Sequence, residues 1–169
     1  MQISARDILG LPIYTRVEEK KVARASGLIV LPDNGKIVAL LAATGFWGQP
    51  KLVAAEDILE IKENKIFIHS QRELLELDEI ISAKKTLEQK IQILGSRVYT
   101  EEGKKLGQVT NFWFDHEGWY LTKIEVGPSF NTMFLKKILV GWKDIIKIEP
   151  GKIIISADII LDKVVDTIS

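Results

Sequence analysis

Residues 94–100 read Leu-Gly-Ser-Arg-Val-Tyr-Thr, and residues 9–15 read Leu-Gly-Leu-Pro-Ile-Tyr-Thr. The two stretches share their first two and last two residues, and they stand about half a chain apart. An internal repeat constrains the architecture more strongly than any single residue, because each copy must fold as the same kind of unit. The sequence therefore predicts two related modules in tandem.

The repeat continues beyond this opening, in the same order and with small gaps. The further matches are 20–23 with 104–107, 28–35 with 112–118, 51–53 with 138–140, and 57–68 with 144–155. Chance could align one pair of apolar runs, but hardly four pairs in register. The boundaries that follow are a first module at 1–70, a linker at 71–90, a second module at 91–157 and a tail at 158–169.

Composition narrows the classes of function. Lys and Arg number 23, Asp and Glu also number 23, and the formal net charge is zero. Because phosphate neutralisation needs a basic excess or a basic face, this balance does not favour direct nucleic-acid binding. The chain has no cysteine, which excludes disulfides, a thiolate nucleophile and a cysteine zinc site.

The same composition bears on the compartment. We expect a cytoplasmic protein, since the lack of cysteine is compatible with a reducing environment and the first residues do not resemble a signal peptide. No apolar run approaches the roughly 20 residues of a membrane helix, so no membrane span is expected.

Turn chemistry and apolar runs indicate short β-strands. Residues 32–35 read Pro-Asp-Asn-Gly, and an Asn-Gly pair readily supplies the positive φ angles of a tight hairpin. The return strand that follows, residues 36–43, is almost continuously apolar and is therefore predicted to be central in its sheet.

The linker and the tail have helical patterns. Leu74, Leu77 and Ile81 fit one face of a helix, although a short strand near residues 80–81 is an alternative. Since the linker has no Gly or Pro, the modules should hold a fixed relation. The tail repeats apolar residues at helical spacing and is interpreted as a short helix that packs on a barrel or docks on a partner.

A family resemblance rests on the glycines and hairpins of the second module. The pattern is Leu94-Gly95, a strand, Gly103-x-x-Leu106-Gly107-x-Val109, a second strand, then Asp115 and Gly118. It resembles the PRC-barrel family, which includes the barrels of the photosynthetic reaction centre H subunit and of the ribosome maturation factor RimM. The first module departs from it, because Glu19 and Ala23 stand where the second module has Gly103 and Gly107.

The resemblance implies an all-β fold of two tandem small PRC-type β-barrels, with short helical turns, a partly helical linker and a short C-terminal helix. Its glycines specify the fold and not a chemistry. Six of them are expected to be structural turn positions: Gly10, Gly35, Gly95, Gly103, Gly107 and Gly118.

Catalytic groupings are not evident in the sequence. The two histidines, His69 and His116, have no metal-ligand spacing, and no phosphate-binding glycine motif is present. The carboxylates alternate with lysines, as on solvated strand faces. We therefore expect no enzyme activity, no cofactor and no metal.

Aromatic residues are the candidates for partner binding. Phe46 and Trp47 lie in a glycine-flanked loop, and Phe130 and Phe134 lie in the matching region of the second module. Trp113 is the fifth candidate, because strand alternation places it on the opposite face from its two Phe neighbours. Each could instead be core or inter-module packing, and stacking on single-stranded RNA is a third reading.

The predicted function is that of a non-catalytic protein-interaction or assembly adaptor. The alternative, from the RimM resemblance, is a ribosome maturation or RNA-associated factor. The expected partners are proteins, with self-association left open and with nucleic acid reached only through a ribosomal complex.

Overall fold

The computed structural model describes residues 1–45, 47–128 and 136–159. Before and in the first module, the elements are β1 (Gln2–Ser4), α1 (Ala5–Ile8), β2 (Pro12–Thr15), β3 (Lys21–Val30), β4 (Ile37–Ala43), β5 (Lys51–Ala54), β6 (Ile58–Lys62) and β7 (Lys65–Ile68). Then follow α2 (Ile81–Glu88), β8 (Arg97–Thr100), β9 (Lys105–Asp115), β10 (Tyr120–Gly127), β11 (Ile138–Gly141), β12 (Ile145–Glu149) and β13 (Lys152–Ile155).

The two modules have the same sheet topology, which confirms the internal repeat. The first sheet has the order β5-β4-β3-β2-β7-β6, and the second has the order β11-β10-β9-β8-β13-β12. In each sheet the first strand of the repeat pairs parallel with the last, β2 with β7 and β8 with β13, whereas the other pairs are antiparallel. A 3₁₀ turn joins the two outermost strands of each sheet, at Ala55–Asp57 and at Trp142–Asp144.

The first strand of the chain belongs to the second module. β1 pairs antiparallel with β9, with Gln2 opposite Asp115 and Ser4 opposite Trp113. The helix α1 continues along β9, where the backbone N–H of Arg6 donates a hydrogen bond of 3.1 Å to Oδ1 of Asn111. The pairing partner of β1, which lies more than a hundred residues away in the sequence, was not predicted.

The hairpin tips of the two modules also pair with each other. The N–H of Ile37 donates to the carbonyl oxygen of Trp119 at 2.7 Å, and the N–H of Leu121 donates to the carbonyl oxygen of Gly35 at 2.9 Å. One continuous apolar cluster includes Leu40 of the first module and Phe114 of the second. Because they bury a common core, the modules pack as one body.

The linker is partly helical, as predicted, but its α-helix is shorter than the predicted pattern. Residues Gln71–Glu73 form a 3₁₀ turn, Leu75 makes an isolated bridge to Leu52, and the helix covers only Ile81–Glu88. The predicted helical face of Leu74, Leu77 and Ile81 is therefore wrong. The physical reason is the open edge of β5, since pairing with it requires an extended backbone at Leu75.

The hairpin between β3 and β4 is wider than a two-residue turn. Of its residues, Gly35 alone has a positive φ, at 74°. Asn34 instead uses its side chain, since Oδ1 accepts a hydrogen bond of 3.0 Å from the N–H of Lys36. Five of the six predicted turn glycines have positive φ; these are Gly10, Gly35, Gly95, Gly103 and Gly107, whereas Gly118 does not.

Two of the predicted features fall outside the described residues. The tail helix predicted at 158–169 does so from residue 160 onward, and the second aromatic loop does so over 129–135. Among the described residues, no helix is long and apolar enough to cross a membrane.

Gly107 lies within β9 at a close approach between two strands. Its φ is +152°, and a Cβ atom built there would stand 1.9 Å from the carbonyl oxygen of Gly127. Ala23 is the equivalent residue of the first module, because it pairs with Ile13 as Gly107 pairs with Val98. The contact that Gly107 makes is therefore a feature of the second module, and it explains the requirement for glycine there.

We predict that Gly107→Ala lowers the free energy of unfolding by about 3 kcal/mol, because the added carbon must displace backbone. Gly141→Ala is the control, since no atom lies within 4 Å of the added carbon and φ is −73°; its cost should be below about 0.5 kcal/mol. Urea denaturation followed by circular dichroism measures both. Equal costs for the two variants would refute the close-approach argument.

Candidate functional site

The sheet of the first module has a face directed away from the main core, and the candidate site is the equivalent face of the second module. We call Ile29, Ala39, Leu41 and Leu52 the first outer face; they lie on β3, β4 and β5, opposite the main core. The linker covers this face, because Leu75, Leu77, Ile80 and Ala83 pack against it. Leu52 is consequently 0% exposed.

The same register in the second module defines a second outer face: Trp113, Lys123, Glu125 and Leu139, on β9, β10 and β11. Trp113 stands opposite Lys123, and Glu125 opposite Leu139, as Ile29 stands opposite Ala39 and Leu41 opposite Leu52 in the first module. Here no described segment equivalent to Leu75 packs on β11. Leu139 is 43% exposed.

Trp113 is placed as strand alternation predicts. Its neighbours Phe112 and Phe114 are buried in the shared core, and Phe114 stacks on Trp119 with 5.2 Å between ring centroids. The Trp113 ring faces the other way and is partly exposed, with the Lys123 ammonium 4.9 Å from its centroid. Such a cation–π contact holds the ring while leaving part of it accessible.

The other predicted partner-binding residues do not join this face in the part of the chain that the structure describes. Trp47 is 93% exposed, in the loop between β4 and β5. Phe46, Phe130 and Phe134 lie outside the described residues. Of the five candidates, Trp113 therefore has a described surface around it.

Charge on the second outer face is concentrated at Glu125. Its Oε1 accepts a hydrogen bond of 2.6 Å from Thr110 Oγ1 and lies 3.4 Å from Lys137 Nζ. The Thr110 hydrogen bond, followed by Lys137 and the charge of Arg6, lowers the pKa of Glu125 below its ordinary value of 4.5, although burial opposes the shift. Lys137 and Arg6 thus place two cations near this carboxylate, in addition to Lys123 over the Trp113 ring.

Sequence reasoning missed Lys123 and Leu139 as members of a site. The signal was present, because residues 51–53 and 138–140 match in the repeat and Leu52 corresponds to Leu139. It could not be used without the structure, since only the structure shows that the linker covers one of the two leucines.

A groove across β9, β8 and β13 is lined by basic and polar groups. Arg97 pairs with Lys152 across the parallel strands, and Gln108 pairs with Arg97 on the other side. The groove also includes Tyr99, whose ring lies 5.1 Å from Lys152 Nζ. Two cations beside an aromatic ring can receive an anionic group.

The carboxylates of Glu56, Asp57 and Glu73 lie near one another close to the start of the linker. Burial first, then the charges of Glu73 and Glu56, raise the pKa of Asp57 above its ordinary value of 3.8. Asp57 lines a cleft together with Leu75 and Trp119. No group of three or more His, Asp or Glu side chains among residues 1–45, 47–128 and 136–159 is placed to hold a metal ion.

A comparison with protein families identifies the family of this fold. The PRC-barrel domain model matches residues 1–75 and 92–160, in two copies. The chain belongs to the PRC-barrel family. No curated protein matches the chain. Within this tandem PRC-barrel protein, the two outer faces occupy equivalent places, and only the first is covered by the linker.

The Thr110–Glu125 hydrogen bond gives a pH-dependent prediction. A carboxyl whose pKa is lower in the folded state contributes stability above its unfolded pKa, and this contribution is lost as the pH falls through the folded pKa. Thr110→Val should therefore cost about 1 kcal/mol near neutral pH. The difference from wild type should shrink as the pH falls below 4.5.

Thr122→Val is the control, because Thr122 Oγ1 donates to the neutral carbonyl of Trp113 at 3.2 Å. Its cost should not change over the same range. Urea denaturation at a series of pH values measures both variants. A Thr110→Val effect that is independent of pH would contradict the assignment of an ionised Glu125 as the acceptor.

Proposed function

We propose that this tandem PRC-barrel protein is a non-catalytic adaptor that binds a partner protein through the second outer face. The supporting observation is that two structurally equivalent surfaces differ in their exposure to solvent. The first outer face is buried beneath the chain's own linker, whereas the second exposes Leu139 and part of the Trp113 ring. A duplicated fold thus retains one of its two binding surfaces for use outside the chain.

The chemistry of the second outer face suits a protein partner. Tryptophan and leucine supply apolar area, and aromatic residues are enriched at the centres of interfaces. Lys123 and Lys137 supply charges at the margin, where they favour one orientation of a partner. The shared core and paired hairpin tips support a fixed surface, which lowers the entropic cost of binding.

The alternative function is that of a ribosome maturation or RNA-associated factor. The groove of Arg97, Tyr99, Gln108 and Lys152 favours it, because cations beside an aromatic ring can contact a nucleic-acid backbone and a base. Under this alternative, the protein co-sediments with ribosomal particles at low salt, and Arg97→Glu with Lys152→Glu releases it. Retention of the charge-reversed protein on the particles would count against the groove.

The adaptor proposal predicts that Trp113→Ser combined with Leu139→Ser removes the partner. Tagged wild type and variant are purified from native cells, and the co-purifying proteins are quantified by mass spectrometry. Specific partners should fall at least about tenfold, equivalent to 1.4 kcal/mol of binding free energy. Circular dichroism establishes that the variant is folded.

Leu59→Ser is the matched control, since Leu59 is an aliphatic residue of the first module with 52% exposure and lies on β6, at the opposite end of the strand order from β5. It should retain every partner. If the double variant retained the same partners at the same levels as the control, the second outer face would not be the binding surface.

A further inference from the structure

The contact between the linker and β5 is a strand addition within the chain. The N–H of Leu52 donates to the carbonyl oxygen of Leu75 at 2.8 Å, and the N–H of Leu75 donates back to Leu52 at 2.7 Å. The side chain of Leu75 packs on the first outer face, and Glu76 forms an ion pair with Lys51. An extended leucine-containing segment thus completes the edge of the first sheet.

The edge of the second sheet has the same geometry. β5 and β4 pair with Leu41 opposite Leu52, and β11 and β10 pair with Glu125 opposite Leu139. Because alternate residues of an antiparallel edge strand direct their N–H and C=O outward, the shared register turns those groups of Leu139 away from β10, as it does for Leu52. Among the described residues, β11 pairs only with β10.

The linker segment that pairs with β5 is acidic, whereas basic side chains lie beside β11. The linker segment 73–80 reads Glu-Leu-Leu-Glu-Leu-Asp-Glu-Ile, with four acidic residues and no basic one. Lys123 of the second outer face lies beside the open strand over the Trp113 ring, and Glu125 is engaged by Thr110 and by Lys137, which precedes β11. A segment of the linker's composition would therefore meet opposite charge there.

We propose that β11 accepts an extended, acidic, leucine-rich segment of a partner protein as an added strand, with a leucine packed beside Leu139 and Trp113. The inference rests on the proposed function and specifies its binding mode. Main-chain hydrogen bonds to an edge strand supply affinity in such complexes, and pockets for alternate side chains supply specificity.

One difference between the edges predicts the preferred sequence. Lys51, which pairs with Glu76, corresponds to Ile138 in β11. A partner should accordingly carry an apolar residue where the linker has Glu76. The optimal segment thus resembles Leu-Leu-Val-Leu followed by acidic residues, and not the linker sequence itself.

The test uses a fluorescent peptide of residues 72–80 that carries the substitution Glu76→Val. The peptide is titrated with the full-length protein, and binding is followed by fluorescence anisotropy. Three changes should each weaken binding at least about tenfold: Leu139→Asp in the protein, Lys123→Glu in the protein, and N-methylation of the peptide at the position of Leu75. The methyl group removes the donor that the linker uses toward Leu52. The unmodified linker peptide should bind more weakly than the valine peptide.

Leu59→Asp is the matched control in the protein and should bind like wild type. Equal binding of the methylated and unmethylated peptides would overturn strand addition while leaving the second outer face as a binding surface. Absence of binding at about 1 mM protein would also overturn the inference, and the partner purification above would still decide the proposed function separately. A concentration-dependent dimer that Leu139→Asp abolishes, measured by sedimentation, would instead identify a second copy as the occupant.

Discussion

The antiparallel pairing of β1 with β9 ties the first residues of the chain to the second module, and the arrangement of both modules depends on it. Ser4 opposite Trp113 places α1 along β9, so that Ala5 and Ile8 enter the shared core. The paired hairpin tips make a second connection at Gly35. Small modules bury a limited fraction of their surface alone, and a common core offsets this limit.

This reciprocal packing also explains why the two outer faces differ. α1 lies before the first module and packs on β9 of the second, whereas α2 lies before the second module and packs on β3 and β4 of the first. Each helix thus precedes one module and packs on the other, so the placement of the two helices is approximately symmetric. The symmetry ends with the stretch around Leu75, which covers the edge of β5 and has no described counterpart on β11. Within the described part of the chain, one of two equivalent sheet edges is thus covered and the other is open.

The sequence predicted the features that depend on local pattern. Strand alternation placed Trp113 on the opposite face from Phe112 and Phe114, and the repeat predicted two related modules, which the common strand order confirms. It could not predict contacts between distant segments, such as β1 with β9, because strand pairing partners are set by tertiary packing and not by local propensity. The first part of the linker was misassigned for the same reason, since the backbone at Leu75 is extended where it pairs with the edge of β5.

The residues of the candidate site could be selected from the sequence only in part, because some of them are brought together by long-range interactions. Trp113 could be selected because its exposure follows from a period of two along one strand. Lys123 and Leu139 could not, because their membership depends on the registers of β10 and β11 and on what covers the neighbouring module. Exposure of an equivalent leucine in only one of two repeats is a tertiary property.

Amide hydrogen exchange at two equivalent leucines tests the asymmetry of the outer faces most directly. The N–H of Leu52 is hydrogen-bonded to Leu75 at 2.8 Å and should exchange slowly, whereas the N–H of Leu139 should exchange rapidly in the free protein. Two-dimensional NMR of the isotopically labelled full-length chain resolves both amides. Equal, strong protection of Leu139 in the isolated protein would contradict the account, because the edge of β11 would then already be covered.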